Sequence, residues 1–164
     1  MIVITDANIF MHLIDAGLLD SFFQLELEFS TTREVFGEIG EEQHQLSPYC
    51  GSGQLIVINS TEEEIELIEE FECAAGLSFP DRTIIYHANA NKWMVLTGEK
   101  LMRNECEAKG LAVHGILWVM DEMIGTGVIS PLEMAVKLEE LINFPDFRVP
   151  KTDCKSRIDN WKNT

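Results

Sequence analysis

No C-x-x-C pair occurs among the four cysteines of this 164-residue chain, Cys50, Cys73, Cys106 and Cys154. That spacing excludes a disulfide scaffold and the usual structural zinc frameworks, and it fits reduced thiols in a cytoplasmic protein. The histidines, His12, His44, His87 and His114, show neither H-E-x-x-H nor H-x-H spacing, so they give no zinc signature either. Basic residues are scarce, with 12 Lys and Arg against 28 Asp and Glu and a net charge of −16. So acidic a chain does not coat nucleic acid through a broad basic face, although an enzyme can still meet a phosphate backbone through cations bound at one site. The longest apolar stretch, Leu111 to Met120, is broken by His114 and is far too short to span a bilayer. The opening Met-Ile-Val-Ile-Thr-Asp has no basic segment of the kind that starts a signal peptide. No membrane association is expected. A G-x-G-x-x-G loop, a G-x-x-x-x-G-K-[ST] loop and a nucleophilic serine elbow are all missing, which argues against dinucleotide, P-loop and serine-hydrolase chemistry.

What is present is an ordinary globular composition, 46% hydrophobic and 24% charged, at a length that suits one domain. Short apolar runs alternate with helical patterns. Strands are expected at Ile2–Ile4, Glu26–Ser30, Leu55–Ile58, Trp93–Leu96 and Leu111–Val113. Helices are expected over 7–19, 31–41, 62–75, 79–91, 99–109, 116–124 and 131–144, with 43–53 as a loop because it holds Pro48, Gly51 and Gly53. Capping-box spacing occurs at Thr31/Glu34, Thr61/Glu64, Ser78/Asp81 and Ser130/Glu133. This alternation predicts a three-layer α/β/α sandwich around a central parallel sheet of about five strands. The division expected is a body over 1–145 and a weakly basic tail over 146–164, the tail forming a short helix that packs on the body. Five of the 12 basic residues lie in that tail with only three acids.

In a parallel sheet the ligand site lies beyond the carboxyl ends of the strands. The residues at those places are acidic. Asp6 follows the first strand, Glu34 and Glu38 lie on the helix after the second, Asp81 opens the helix before the fourth, and Glu99 follows the fourth. Each also has a structural reading, since Asp81 and Glu34 stand at capping-box spacing and Glu99 suits a helix's first turn. If Glu34 turns back to cap its own helix, Glu38, one turn further on, is the freer group. Carboxylates gathered without Lys or Arg repel one another, and divalent cations among them make such a group sensible. Mg²⁺ or Mn²⁺ takes hard oxygen ligands and keeps several waters, so a few carboxylates suffice. Asp15, Asp20 and Asp121 stand away from strand ends and are expected to be surface residues.

The segments Ile2 to Asn8, Thr31 to Ile39, Leu77 to Asp81 and Val95 to Arg103 recur in the order of a PIN domain, and Gly110 to Ile129, with Val113 to Trp118, resembles the region after its fourth acidic motif. The resemblance covers residues 1–145. It implies Mg²⁺- or Mn²⁺-dependent cleavage of RNA, as in small prokaryotic PIN-domain ribonucleases similar to the VapC-type toxins of toxin–antitoxin pairs. Carried over by position, Asp6, Glu38, Asp81 and Glu99 are the acidic quartet that binds metal and catalyses, with Asn8 and Thr97 as supporting polar groups. The implied partners are an RNA substrate, a small antitoxin protein and a second copy of the chain. One residue departs from the family pattern: Glu99 stands where Asp is usual, and its carboxylate lies one methylene, about 1.5 Å, farther from the backbone. That departure supports a second expectation, a PIN-like binding module with weakened catalysis. A third reading from another class is a phosphatase with Asp6 as nucleophile. That chemistry wants a second Asp two residues on, where Asn8 stands, and a Lys at a later strand end.

Overall fold

The computed structural model describes residues 1–164. Five strands, β1 (Ile2–Thr5), β2 (Glu28–Thr32), β3 (Leu55–Ile58), β4 (Met94–Leu96) and β5 (Val113–His114), form one sheet in the order β3-β2-β1-β4-β5. Every pair is parallel, and in register Ile4 lies between Ser30 of β2 and Val95 of β4. Parallel neighbours need crossover connections. Ten helices surround the sheet: α1 (Ala7–Asp15), α2 (Leu19–Phe23), α3 (Arg33–Glu38), α4 (Gln43–Gly51), α5 (Glu62–Glu70), α6 (Phe79–Asn91), α7 (Lys100–Ala108), α8 (Ile116–Gly125), α9 (Pro131–Leu141) and α10 (Lys151–Lys162).

The apolar runs of β1 and β4 explain the three layers. Side chains of a strand alternate between faces, so a strand covered on both sides must be apolar throughout. Val3 and Leu96 enter one core with Phe10, Leu13, Phe22, Leu46, Met120, Leu138 and Trp161, from α1, α2, α4, α8, α9 and α10. Ile4 and Val95 enter the other core with Val35, Ile84, Ile85, Met102 and Cys106, from α3, α6 and α7. Each large apolar side chain fully buried in these layers contributes about 1.5–3 kcal/mol. No helix is long and apolar enough to cross a membrane, and all four cysteines are free thiols.

Several boundaries differ from the sequence reading, each for a local reason. The first helix stops at Asp15 rather than 19, because Gly17 takes φ +66°. The amides of Gly17 and Leu18 then reach back to Ile14 and Leu13, a glycine-terminated helix end. The second strand runs two residues later than 26–30: Thr31 lies inside β2, and its hydroxyl donates to the Thr5 carbonyl (2.8 Å). The N-cap of α3 is therefore Thr32, which accepts from Val35 N, so the Thr31/Glu34 capping box does not form. Helix α3 itself ends at Glu38 and passes into a 3-10 turn at Gly40–Glu42.

The expected loop over 43–53 is helix α4 despite Pro48. Leu46 is fully buried, and Tyr49 stacks on Phe23 with ring centroids 4.1 Å apart, so packing overrides the local breaker. The acidic helix α5 ends at Glu70 rather than 75. There the Arg82 guanidinium bonds the carbonyls of Ile68 (2.8 Å) and Glu69 (3.0 Å), supplying its last turn with donors. Strand β5 is shifted from 111–113, because the amide of Thr97 bonds the His114 carbonyl. Helix α9 ends at Leu141, three residues early.

Candidate active site

The sheet order places a switch point between β1 and β4. The chain moves outward from β1 to β2 and β3, then returns to lay β4 on the other side of β1. A crevice at such a point is the usual ligand position in this architecture. Asp6 leaves β1 there, and Thr97, Gly98 and Glu99 leave β4 beside it.

Asp6 is the N-cap of α1 and is only 4% exposed. Its Oδ1 accepts from Ala7 N (2.8 Å), and its Oδ2 accepts from the Thr97 hydroxyl (2.8 Å) and the Asn8 amide (3.2 Å). Asn8 Oδ1 in turn accepts from Gly98 N (3.0 Å), and Thr97 Oγ1 accepts from Glu99 N (3.2 Å). Thus Asn8 and Thr97 hold the Asp6 carboxylate and strap the end of β4 to the end of β1. Glu99 is the N-cap residue of α7, but its side chain makes no capping bond and is exposed.

Asp81 does what its spacing suggested. Ser78 Oγ accepts from Asp81 N (3.2 Å), and Asp81 Oδ2 accepts from Ser78 N (3.1 Å), a complete capping box at the start of α6. It is also a neighbour of the strand-end acids. Burial pushes the Asp6 carboxyl up to about 7, against the hydrogen bonds from Thr97 and Ala7, and the charges of Asp81 and Glu99 raise it further. Glu38 is likewise raised, first by partial burial and then by Asp81 and Glu99. The four acids therefore share one electrostatic neighbourhood. None of them forms an ion pair with Lys, Arg or His.

Glu34 lies elsewhere. Its charge acts on His87 of α6, and its Oε2 is buried without a hydrogen-bond partner. The Thr31/Glu34 capping box that would occupy Glu34 does not form, because Thr32 is the N-cap. Glu38 stands near the cluster for a different reason, namely that α3 ends pointing towards Asp81 and Glu99. Asp121, read from sequence as a surface acid, joins the tail to the body by accepting from Arg157 Nε (2.7 Å) and Trp161 Nε1 (3.2 Å).

The donor set suits a hard divalent cation: all oxygen, all acidic, and anchored on a buried carboxylate that has hydrogen-bond donors but no cationic partner. The side chains are not yet gathered, since no three Asp, Glu, His or Cys groups stand close enough together to hold an ion. Mutual repulsion keeps such carboxylates apart, and the Asp81 carboxylate is turned to its own helix. A cation that retains several waters needs only one or two direct carboxylates, so the residues fit Mg²⁺ or Mn²⁺. Beside Glu99 and Asn8 a groove of about 900 Å³ opens between α1, α7, α8 and the start of α10. Arg103, His114 and Trp118 in its walls lie within the segments that resemble a PIN domain, but their sequence positions assign them no role. The i, i+4 spacing of His114 and Trp118 around a helix start was the available signal.

A family model described as PIN domain matches residues 2–163. No curated protein matches the chain.

Proposed function

The chain belongs to the PIN-domain family, and on that premise we propose that it is an endoribonuclease that needs Mg²⁺ or Mn²⁺ to hydrolyse RNA phosphodiester bonds. PIN domains are generally nucleases, so the fold is that of a hydrolase of nucleic acid. The observation that carries the proposal is the buried Asp6 carboxyl at the end of β1, raised to about 7 by burial and by the charges of Asp81 and Glu99, which also act on Glu38, with no basic partner to any of the four. A protein that keeps such a group uncompensated bears its cost unless a cation relieves it.

Asp6, Asp81, Glu99 and Glu38 would hold the ion, and it would supply charge neutralisation at the attacked phosphate and a more acidic water. The chain's own part is positional. Thr97 and Asn8 fix the Asp6 carboxylate by two hydrogen bonds, from the Thr97 hydroxyl and the Asn8 amide, and Asn8 is itself held by the Gly98 amide. Glu99, exposed at the head of α7, stands between the buried acid and the groove. No covalent enzyme intermediate is proposed. EDTA should abolish cleavage of generic single-stranded RNA, and Mn²⁺ or Mg²⁺ should restore it. Full activity in EDTA refutes the proposal.

Glu99 favours a second reading, a PIN-like binding module with weakened catalysis, because its longer side chain displaces one ligand. On the nuclease reading Glu99→Gln lowers cleavage and Glu99→Asp raises it. A silent Glu99→Gln in an active protein removes this residue from the site. The toxin role, with a small antitoxin as partner in the cytoplasm, is supported by the resemblance to small prokaryotic members of the family. Suppression of cleavage by the product of an adjacent small reading frame is its test, and the elution volume of the purified chain tests the homodimer.

A further inference from the structure

The groove beside Glu99 differs in charge from the rest of the molecule. The chain has 28 acids and 12 bases, but the groove is lined by four of each, and Lys100, Arg103, Arg148 and Arg157 are its cations. Arg157 is held by Asp121, whereas Lys100, Arg103 and Arg148 form no ion pair. A third of the protein's scarce positive charge thus lines one surface next to a strongly acidic cluster.

An aromatic surface lines the same groove as these cations. His114, at the end of β5, and Trp118, one turn into α8, stack face to face with ring centroids 4.4 Å apart and planes 11° from parallel. Both rings are half-buried, and both line the groove. Burial and the nearby Arg103 charge lower the His114 pKa, so the ring is a neutral, flat partner for the indole at neutral pH. The Arg103 guanidinium lies over Gly115, where a Cβ would come within 3.7 Å of its Nη1. It shares the groove wall with Glu99, the N-cap residue of α7, and with the two stacked rings.

Flat aromatic faces alternating with unpaired cations recognise single-stranded polynucleotides, because every base has a face to stack and every linkage a charge to neutralise. A duplex keeps its bases paired and stacked on one another, and cannot use such a platform. We propose that this groove is a nucleotide subsite for single-stranded substrate, in which Trp118, backed by His114, stacks a base flanking the scissile linkage while Arg103, Lys100 and Arg148 take the adjoining phosphates. The proposal deepens the nuclease reading and rests on it for the position of the scissile linkage.

The test uses the full chain in EDTA and two fluorescent octamers of equal charge, one of uridylate and one with abasic riboses. The wild-type protein binds the base-bearing strand about tenfold more tightly, within the range for one stacked base. Trp118→Ala brings the two affinities within about twofold, and Trp118→Phe, which keeps a ring in the same packing, preserves most of the difference. Arg103→Gln and Arg148→Gln weaken both strands alike, each lowering the slope of log affinity against log salt by about 0.7. Equal binding of the two octamers by the wild-type protein, no binding of either, or a preference unchanged in Trp118→Ala overturns the platform. Mn²⁺-dependent cleavage together with equal binding overturns the platform and leaves the nuclease reading standing. A base preference lost in Trp118→Ala, in a chain that cleaves no RNA with either ion, supports the platform and overturns the nuclease reading.

Discussion

Helices α5 and α6 begin with the same device. At α5, Thr61 and Glu64 exchange two bonds of 3.0 and 3.1 Å, and at α6, Ser78 and Asp81 exchange two of 3.1 and 3.2 Å. Locally the two acids are equivalent. Their surroundings are not. Glu64 faces His87, and its carboxyl is held down chiefly by the Thr61 amide, which outweighs the opposing effect of burial, and to a lesser degree by His87 and the Thr61 side chain. Asp81 instead adds negative charge to Asp6 and Glu38. The difference comes from the order of strands, which brings the start of α6 to the mouth of the sheet where β1 and β4 diverge. A capping box therefore states where a helix starts, and says nothing about what its acid does afterwards.

The sharpest way to break the comparison is activity. Asp81→Asn should cut Mn²⁺-dependent RNA cleavage by on the order of a hundredfold or more, the scale of losing an essential charged group. Glu64→Gln should leave the rate within about twofold, since substitutions away from such features are usually mild. Equal losses from both variants would mean that helix stability, and not the position of Asp81, governs the rate.

The next effect lies in the group that Asp81 faces and Glu64 does not. Asp6 has an ordinary value of 3.8 and is raised to about 7 in the folded protein. Between those values the folded state holds a proton that the unfolded state has released. Stability in EDTA therefore falls as pH rises from about 4 to about 7, and the loss is complete above that. Asp6→Asn keeps a side chain of the same shape and removes the titration. Its stability in EDTA should therefore stay level across about pH 4 to 7, where that of the wild type falls, as read from denaturant melts. Cations compete with that proton, so Mn²⁺ should stabilise the wild-type protein more at pH 8 than at pH 6. An Mn²⁺ response independent of pH would take Asp6 out of the ligand set.

The smallest effect is one of sign. Glu64→Gln loses a favourable charge at a helix N-terminus and should melt lower in EDTA, by roughly 0.3–1 kcal/mol. Asp81→Asn loses the same contribution but relieves repulsion from Asp6 and Glu38, and should melt slightly higher than wild type. A lower melting point for Asp81→Asn, with a normal Mn²⁺ response, would reduce Asp81 to a cap.

The layered fold was legible because β1 and β4 are apolar on consecutive residues, which a sheet covered on both faces requires, whereas the edge strand β3 leaves Ile56 55% exposed. Ser78/Asp81 and Thr61/Glu64 were legible because capping is local chemistry. What escaped depends on partners distant in sequence. Helix α4 needs Phe23 beneath Tyr49 to outweigh Pro48, and the end of α5 needs Arg82. The misplaced box at Thr31 came from counting a threonine of β2 as a cap, when its hydroxyl serves the neighbouring strand. The acids of the candidate site could be named because strand ends are predictable. The nearness of Glu38 and the separation of Glu34 could not, since both depend on where α3 turns.

The attachment of α10 has a genetic consequence. Trp161 is 4% exposed, lies in the same core as Phe10 and Leu138, and bonds Asp121 forty residues upstream. A stop codon anywhere before position 161 removes that indole and leaves α8 and α9 with an uncovered apolar seam. Nonsense changes in the last few codons of this stretch should therefore behave as loss-of-folding alleles, with product found in inclusion bodies or degraded, even though every acid of the candidate site has already been translated.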